Sequence, residues 1–396
     1  MSDHELPTPV NRRLFTPGVL LLLLLTLFMF CVAIVRFAVG GLEASTNLDQ
    51  QHPWGLWIAF DVATGVALAA GGFTAAALVH IFHRRHYHAI TRPALLTAAL
   101  GYTFVGIGLM FDLGRYYNIW HPAVFWQGNS VLFEVGMCVM CYLTVLYIEF
   151  LPVVCERFMG DRRFPRLGTF CRRVNGIVER TMFAFIIAGV VLSCLHQSSL
   201  GNLMVIAESK WHDLWDTPIS SLLFLLSAFM VGFPMVIVES ILAAWSLGLK
   251  PEMQILRPLA KYVVFFTGLY LAFKIGDMLV RDSYVYLLEG SVQSVCFMAE
   301  MIFGLAVPFA MLLSASVRRR PHLLFAAALL IVLGVAFNRI NVFLVAYQPA
   351  YSAKPYFPSL SEMVVTVGLV SLLILVYRMV VTFFPVISQP ERARIA

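Results

Sequence analysis

Several ionisable residues stand inside apolar runs, where a charge is costly and usually persists for a functional reason. Glu134 and Glu300 each fall about 14 Å below one end of their run, at 1.5 Å per residue, and neither has a cation beside it in sequence. An acid so placed can hold and release a proton instead of staying ionised, which suits it to relay work. Asp61, Lys274 and Arg339 lie roughly 10 Å in from the same face. Asp112 and Asp277 are closer to it, Glu239 is in the opposite half, and Glu149 is near the opposite end. Lys274 and Asp277, at i and i+3 on one helix, are spaced to neutralise each other, and Arg339 is available to pair with Asp61 or Asp112. The pattern is a polar pocket in one third of a membrane, joined at midplane to acids reaching the other way. Two function classes fit it. A lipid-soluble quinone could be reduced or oxidised near that face while protons pass along the acids, or the acids could serve a proton-coupled transporter. Internal prolines are few (Pro234, Pro308) and paired half-helices are not evident, so the broken-helix signature of a transporter is missing.

The elements that must position these groups are helices. Sixty per cent of the residues are hydrophobic and 13% charged, more apolar surface than a soluble domain of this length can hide. Runs of spanning length occur at about 17–39, 56–82, 93–113, 124–150, 178–196, 218–246, 259–281, 292–316, 322–346 and 360–384. The expected fold is an all-α polytopic membrane protein with about ten transmembrane helices and no barrel strands. It is a single integral membrane domain over 1–396. Residues 1–50 hold the first helix and outer loop, 51–200 and 201–346 hold two four-helix bundles (helices 2–5 and 6–9), and 347–396 hold the last helix and tail.

The net charge of +6 reports topology. Twenty Lys and Arg, from Arg12 and Arg13 through Arg84, Arg157, Arg172, Arg257 and Arg318 to Arg394, flank alternate ends of the runs. The opposite ends hold only Arg36, Arg115, Lys210, Arg281 and Lys354. That asymmetry places both termini in the cytoplasm and gives no reason to invoke nucleic acid. Trp54, Trp57, Trp120, Trp126, Trp211 and Trp215 collect at the other, outer face and only Trp245 near the inner one. So lopsided a distribution suits a docking surface or a pocket mouth for a flat apolar ligand better than a symmetric aromatic belt.

Other chemistry is excluded. Arg12-Arg13-Leu14-Phe15 precedes an apolar run too long for a cleaved signal, so a retained helix is expected. The cysteines lie within helices or on the inner side, and Cys138-x-x-Cys141, lacking a partner pair, reads as packing. No nucleotide loop or iron–sulfur cysteine pattern occurs. A b-type haem needs facing histidines within the bilayer, yet His80, His83, His86 and His88 crowd the inner end of helix two while His196 and His212 are expected to lie outside the bilayer, on the outer side. A faint duplication pairs Asp112-Leu-Gly-Arg115 with Asp277-Met-Leu-Val-Arg281, and Ser130 through Glu134 with Ser294 through Glu300, as in parallel repeats.

The stretch His52-Pro53-Trp54-Gly55-Leu56-Trp57, followed by Asp61, Gly65 and Gly71-Gly72, resembles the opening of the bundle in the NrfD/polysulfide-reductase membrane-subunit family. Asp112-Leu-Gly-Arg115-Tyr116-Tyr117, then Trp120-His121-Pro122, Trp126 and Asn129 through Glu134, resembles its HybB branch, the membrane subunit of a periplasm-facing nickel–iron uptake hydrogenase. The resemblance covers essentially the whole chain. It implies a haem-free, metal-free subunit in the bacterial inner membrane that passes electrons to menaquinone or ubiquinone. The implied partners are a periplasmic four-cluster ferredoxin-like iron–sulfur protein and the large and small hydrogenase subunits. Mapped here, Trp54, Trp57, Asp61, Asp112, Arg115, Tyr116, His121 and Asn129 are expected to line the head-group pocket. His121 or Tyr116 would donate to one quinone oxygen, and Asn129 or Arg115 would hold the other. Glu134 is the expected proton relay, with Tyr102 and Glu239 as inward steps, while Lys274, Asp277, Glu300 and Arg339 belong to the second bundle. The alternative is a quinol-oxidising subunit of a polysulfide or nitrite reductase type of complex.

Overall fold

The computed structural model describes residues 7, 9–10, 15–159, 163–207, 210–350 and 355–387. Arg12, Arg13, Arg162, Lys354, Arg392 and Arg394 lie outside them. Ten helices are long and apolar enough to cross a bilayer: α1 (Pro17–Val39), α2 (Trp57–Ile81), α3 (His86–Asp112), α4 (Val131–Met159), α5 (Pro165–Val205), α6 (Ser220–Leu247), α7 (Met253–Val280), α8 (Val292–Leu313), α9 (Pro321–Val345) and α10 (Leu360–Phe383). Among the described residues there is no strand, only an isolated bridge between Trp211 and Tyr347.

Two boundaries depart from the hydropathy reading, each for a physical reason. Residues 116–123 fold into two short 3₁₀ turns, the second around Pro122. α4 then starts only at Val131, with the Ser130 hydroxyl accepting the Phe133 N–H at 3.3 Å. Glu134 therefore sits in the first helical turn, not at the midplane. α5 in contrast runs for 41 residues, about 62 Å at 1.5 Å per residue, roughly twice the hydrocarbon thickness. Hydropathy ends at His196-Gln197-Ser198-Ser199, yet His196, Gln197 and Ser199 are buried against neighbouring helices and the helix continues. His196 thus lies inside the protein, which corrects the reading that placed it outside.

α2 forms the centre. From Ala59 to Ala75 it presents Ala59, Ala63, Ala67, Ala69, Ala70, Gly71, Gly72 and Ala75, all buried. Small residues let helix backbones meet where no hydrophobic effect drives association. A Cβ on Gly72 would fall 2.4 Å from that of Ala98 on α3. α2 packs on α3, α5, α6 and α9. One apolar core runs unbroken from Ala67 and Ala75 of α2 through Val231 and Ile241 of α6 to Val263 of α7 and Ile331 of α9. α1 is peripheral, packed on α10, which in turn rests on α3 and α2.

The helical ladder loosens at chosen places. Trp57–Thr64, Glu300–Ala306 and Asn341–Val345 are π-helical, a local under-winding frequent at functional sites. Asp61, Glu300 and Asn341 all stand in these stretches.

Candidate functional site

Asp61 points from the π-helical start of α2 toward α10, where Thr366 Oγ1 donates to its Oδ2 at 2.7 Å. One turn earlier Trp57 is fully enclosed and its indole N–H donates to the Glu362 carbonyl at 3.2 Å. Glu362 belongs to a capping box: its N–H bonds the Ser359 hydroxyl while its carboxylate accepts the Ser359 N–H at 2.8 Å. The same carboxylate accepts the Asn47 N–H at 3.1 Å and the Tyr356 hydroxyl. Asp112, at the end of α3, lies within electrostatic reach of both Glu362 and Asp61, and its Oδ1 has no hydrogen-bond partner. Three carboxyl groups from α2, α3 and α10 therefore converge at the tryptophan-rich end.

Arg36, the nearby cation, is enclosed near the end of α1. It donates to the Phe111 and Leu113 carbonyls at 2.9 and 2.7 Å, satisfying acceptors that the end of α3 leaves free, and it faces Asp112. His52 is buried at the rim with its ring near Tyr356. It is held by Asp49, whose Oδ1 accepts the Gln51 and His52 N–H groups at 2.8 and 2.7 Å. The His52 N–H foremost holds the Asp49 carboxyl below the usual carboxylate range. Burial, then the Glu362 carboxylate, pushes the Tyr356 phenol above its ordinary value. Arg36, Tyr356 and Glu362 were missed by the sequence reading. Ser359-x-x-Glu362 was legible as a capping box, but nothing local ties it to Asp61.

The other expected pocket residues divide. Trp54 joins Trp211, Phe343 and Tyr347 in an aromatic cluster with ring centroids 5.7–6.0 Å from its own. Tyr116 stands apart from that cluster, its ring edge-on to Phe37 at 4.9 Å, beside Phe111 and Arg36. Arg115 and Asn129 are exposed on the 113–130 loop, and neither hydrogen-bonds to the three acids. His121 packs edge-on within that loop against Trp120 and Phe125. Trp120 and Trp126 are themselves 51% and 73% exposed, beside exposed Tyr117, Val124 and Phe125. The six tryptophans thus serve two ends: four pack inward and two project.

Glu134 is exposed on α4 and accepts from Ser199 of α5 at 2.6 Å. Tyr102 is fully buried on α3, its hydroxyl 3.1 Å from His196 Nδ1. Glu239 lies on α6 toward the arginine-rich end, where the Tyr377 hydroxyl donates to it at 2.7 Å. The pair lines an apolar cavity of about 470 Å³ between α1, α6 and α10.

In the second half, Glu300 accepts from Trp215, Asn338 and Asn341 at 3.3, 2.8 and 2.9 Å. Arg339 bonds Asn338 and Ser227 and stacks over Phe224 at 3.7 Å; it pairs with neither Asp61 nor Asp112. Nor does Asp277 bond to Lys274. It takes Arg281 at 2.8 Å and Thr217 at 2.8 Å, because Arg281 one turn on reaches it from the loop. Lys274 lies over Phe297 and faces Glu300 instead. The suggested repeat partners accordingly occupy different settings: Glu134 is exposed and Glu300 enclosed, and Asp277 has the arginine partner that Arg115 does not give Asp112.

Comparison with known proteins agrees with this architecture. The chain is 36% identical over 389 residues to a protein of Nitratidesulfovibrio vulgaris, covering 96% of each. It is 33% identical over 393 residues to the probable Ni/Fe-hydrogenase 2 b-type cytochrome subunit of Escherichia coli, covering 97% of this chain and 96% of that one. It is 26% identical over 420 residues to the integral membrane subunit of menaquinone reductase from Nitratidesulfovibrio vulgaris, with 98% of each covered. The family described as polysulphide reductase, NrfD, matches residues 44–350, and with ten apolar helices around its converging acids the chain belongs to that family as a multi-pass membrane protein.

Proposed function

We propose that this chain is the quinone-reactive membrane subunit of an oxidoreductase complex, taking electrons from an iron–sulfur partner of an uptake hydrogenase and passing them to the quinone pool. The observation that supports the reading best is the convergence of Asp61, Asp112 and Glu362 with Arg36 and Tyr356 at the tryptophan-rich end. Quinone reduction needs hydrogen-bond donors at two oxygens and two protons per two electrons. Asp61 and Asp112 would supply protons, Tyr356 would hold the Glu362 carboxylate in place through its hydroxyl, and Arg36 would offset charge as the ring gains electrons. The exposed Tyr117, Trp120, Val124, Phe125 and Trp126 offer the partner an apolar docking surface beside this pocket. The arginine asymmetry supports assigning that face to the periplasmic side of what we take to be the bacterial inner membrane.

The description of the Escherichia coli relative as a b-type cytochrome subunit raises the question of haem. Bis-histidine ligation needs two imidazoles facing each other across the bundle. Among the described residues only His196 lies within a helix away from its ends; the other histidines stand in loops or terminal turns. His196 Nδ1 is engaged by Tyr102, and no second imidazole faces it. These residues do not fit a bis-histidine haem, so electrons are assigned from the partner directly to quinone. The test is hydrogen-driven reduction of menaquinone or ubiquinone analogues by the co-purified complex in proteoliposomes. Reduction that Asp61→Asn abolishes, with the complex still assembled, supports the reading. A complex that turns over hydrogen with a dye yet reduces no quinone overturns it.

A further inference from the structure

The first half of the chain meets the second where α2 packs on α6 through small residues. A Cβ on Gly232 would fall 2.6 Å from Thr74 Oγ1, and one on Gly71 would fall 3.1 Å from the Val236 side chain. Beside this crossing, toward the arginine-rich end, a cavity of about 480 Å³ lies between α2, α6 and α7, within the range of small-molecule sites. Thr74, Leu78 and Phe233 line it and are buried. Aromatic rings build its wall: Phe229 stacks on Phe266 at 5.5 Å, and Phe233 meets Tyr262 at 5.6 Å. Phe82 and Phe265 also line it and are 68% and 62% exposed, so it opens sideways toward lipid between α2 and α7.

The charged side chains of the cavity collect at one end. Arg84 follows the last turn of α2, where its N–H bonds the Leu78 carbonyl at 3.1 Å, and Lys261 stands on α7. The Tyr87 N–H bonds the Arg84 carbonyl at 3.0 Å and its ring lies edge-on to Tyr262 at 6.3 Å, which ties the Arg84 turn to α7. Both cations are exposed, and among the described residues neither forms an ion pair. Acids are also missing from the flanking sequence: none occurs between Asp61 and Asp112, or between Glu252 and Asp277. Deeper in, the Thr74 hydroxyl is spent on the Ala70 carbonyl at 2.9 Å. A ligand matching this cavity is apolar along its length and anionic at the end nearest the arginine-rich surface. A quinone carries two carbonyls across one ring and no charge, and does not match. A phospholipid with a negative head group does, since basic pockets between membrane helices recognise such head groups.

We propose that the cavity between α2, α6 and α7 binds an anionic phospholipid, its phosphate held by Arg84 and Lys261 and an acyl chain laid against Phe229, Phe233 and Phe266. The bound lipid braces the crossing of the two halves of the chain. The inference uses the chain's place in a membrane and is independent of the quinone reading.

The test is titration of phospholipids into the delipidated full chain in detergent, read by Tm and by native mass spectrometry. Phosphatidylglycerol should raise Tm and add a strongly retained lipid, while phosphatidylcholine with the same acyl chains should give a far smaller rise. Arg84→Gln combined with Lys261→Gln should raise the half-saturating phosphatidylglycerol concentration roughly tenfold or more. Arg172→Gln combined with Arg173→Gln, an equal loss of exposed charge near the start of α5, should leave it unchanged. Equal effects of the two lipids, wild-type affinity in the Arg84/Lys261 variant, or an equal loss in the Arg172/Arg173 variant overturns the site. An equal Tm rise from glycerol phosphate, which has the anion without the chains, overturns it as well. A menaquinone analogue that displaces the lipid and still binds the Arg84/Lys261 variant assigns the cavity to quinone and overturns the proposal.

Discussion

The Thr366 hydroxyl donates to Asp61 Oδ2 at 2.7 Å across a sequence separation of 305 residues, joining α2 to the last helix. An acid held in one orientation by a single hydroxyl can give up its proton without losing its place. Asp61→Asn keeps the shape and removes the proton, so quinone reduction should fall by roughly 10²-fold or more, the scale of a lost general acid. Thr366→Val should cost less, roughly tenfold, by letting the carboxyl rotate. Steady-state rates with the complex's assembly checked by gel filtration would read both; wild-type rates in Asp61→Asn would remove it from the site.

Tyr356 donates to Glu362, and its hydroxyl also accepts the Leu56 N–H at 3.2 Å. Because burial and the neighbouring carboxylate raise its phenol above the ordinary value, Tyr356 stays protonated throughout the working range. For a group whose folded value is raised, the contribution is complete below the unfolded value near 10 and fades only as pH climbs past it. Quinone reduction should therefore show no alkaline loss from this phenol between about pH 6 and 9. Tyr356→Phe should raise the quinone KM several-fold at every pH in that window. A pH–rate profile that Tyr356→Phe alters only above pH 8 would contradict this assignment.

Glu300 accepts three hydrogen bonds in a fully buried setting that also holds Lys274 and Arg339. Glu300→Ala would strand those donors and leave two cations without compensation, a loss of about 3–5 kcal/mol when a buried charge loses its partner. Thermal unfolding in detergent should show a clear fall in Tm. Glu300→Gln, whose amide oxygen still accepts but carries no charge to offset Lys274 and Arg339, should recover only part of that loss. Equal Tm values for wild type and Glu300→Ala would refute the structural role.

Gly304 and Gly334 bring α8 and α9 into backbone contact: a Cβ on Gly334 would lie 2.4 Å from the Gly304 Cα. Gly334→Leu should separate the helices and destabilise the chain by about 1–3 kcal/mol, the range for over-packing. Yield and Tm would fall together while Gly276→Ala, where an added Cβ meets nothing within 4 Å, would leave both unchanged.

Hydropathy and charge alone determined a great deal. Ten spanning helices, the arginine-poor tryptophan-rich face, and the intramembrane positions of Asp61, Asp112, Glu300 and Arg339 follow from residue types in order, because the bilayer penalises charge and rewards long apolar runs. Pairing was beyond it. Lys274 and Asp277 have the spacing of a neutralising pair, yet Arg281 and Thr217 take Asp277. Glu134 looked deep until the 3₁₀ turns before Ser130 moved the helix start. His196, Gln197 and Ser199 looked like a loop because polarity was read without knowing that α2, α3 and α4 would cover them. Only the tertiary structure placed Glu362 and Tyr356 beside Asp61 and Asp112, since the helices carrying them are about 250–300 residues apart in the chain. Burial is a property of one residue's neighbourhood in sequence to a first approximation, whereas a partner is chosen by how helices pack.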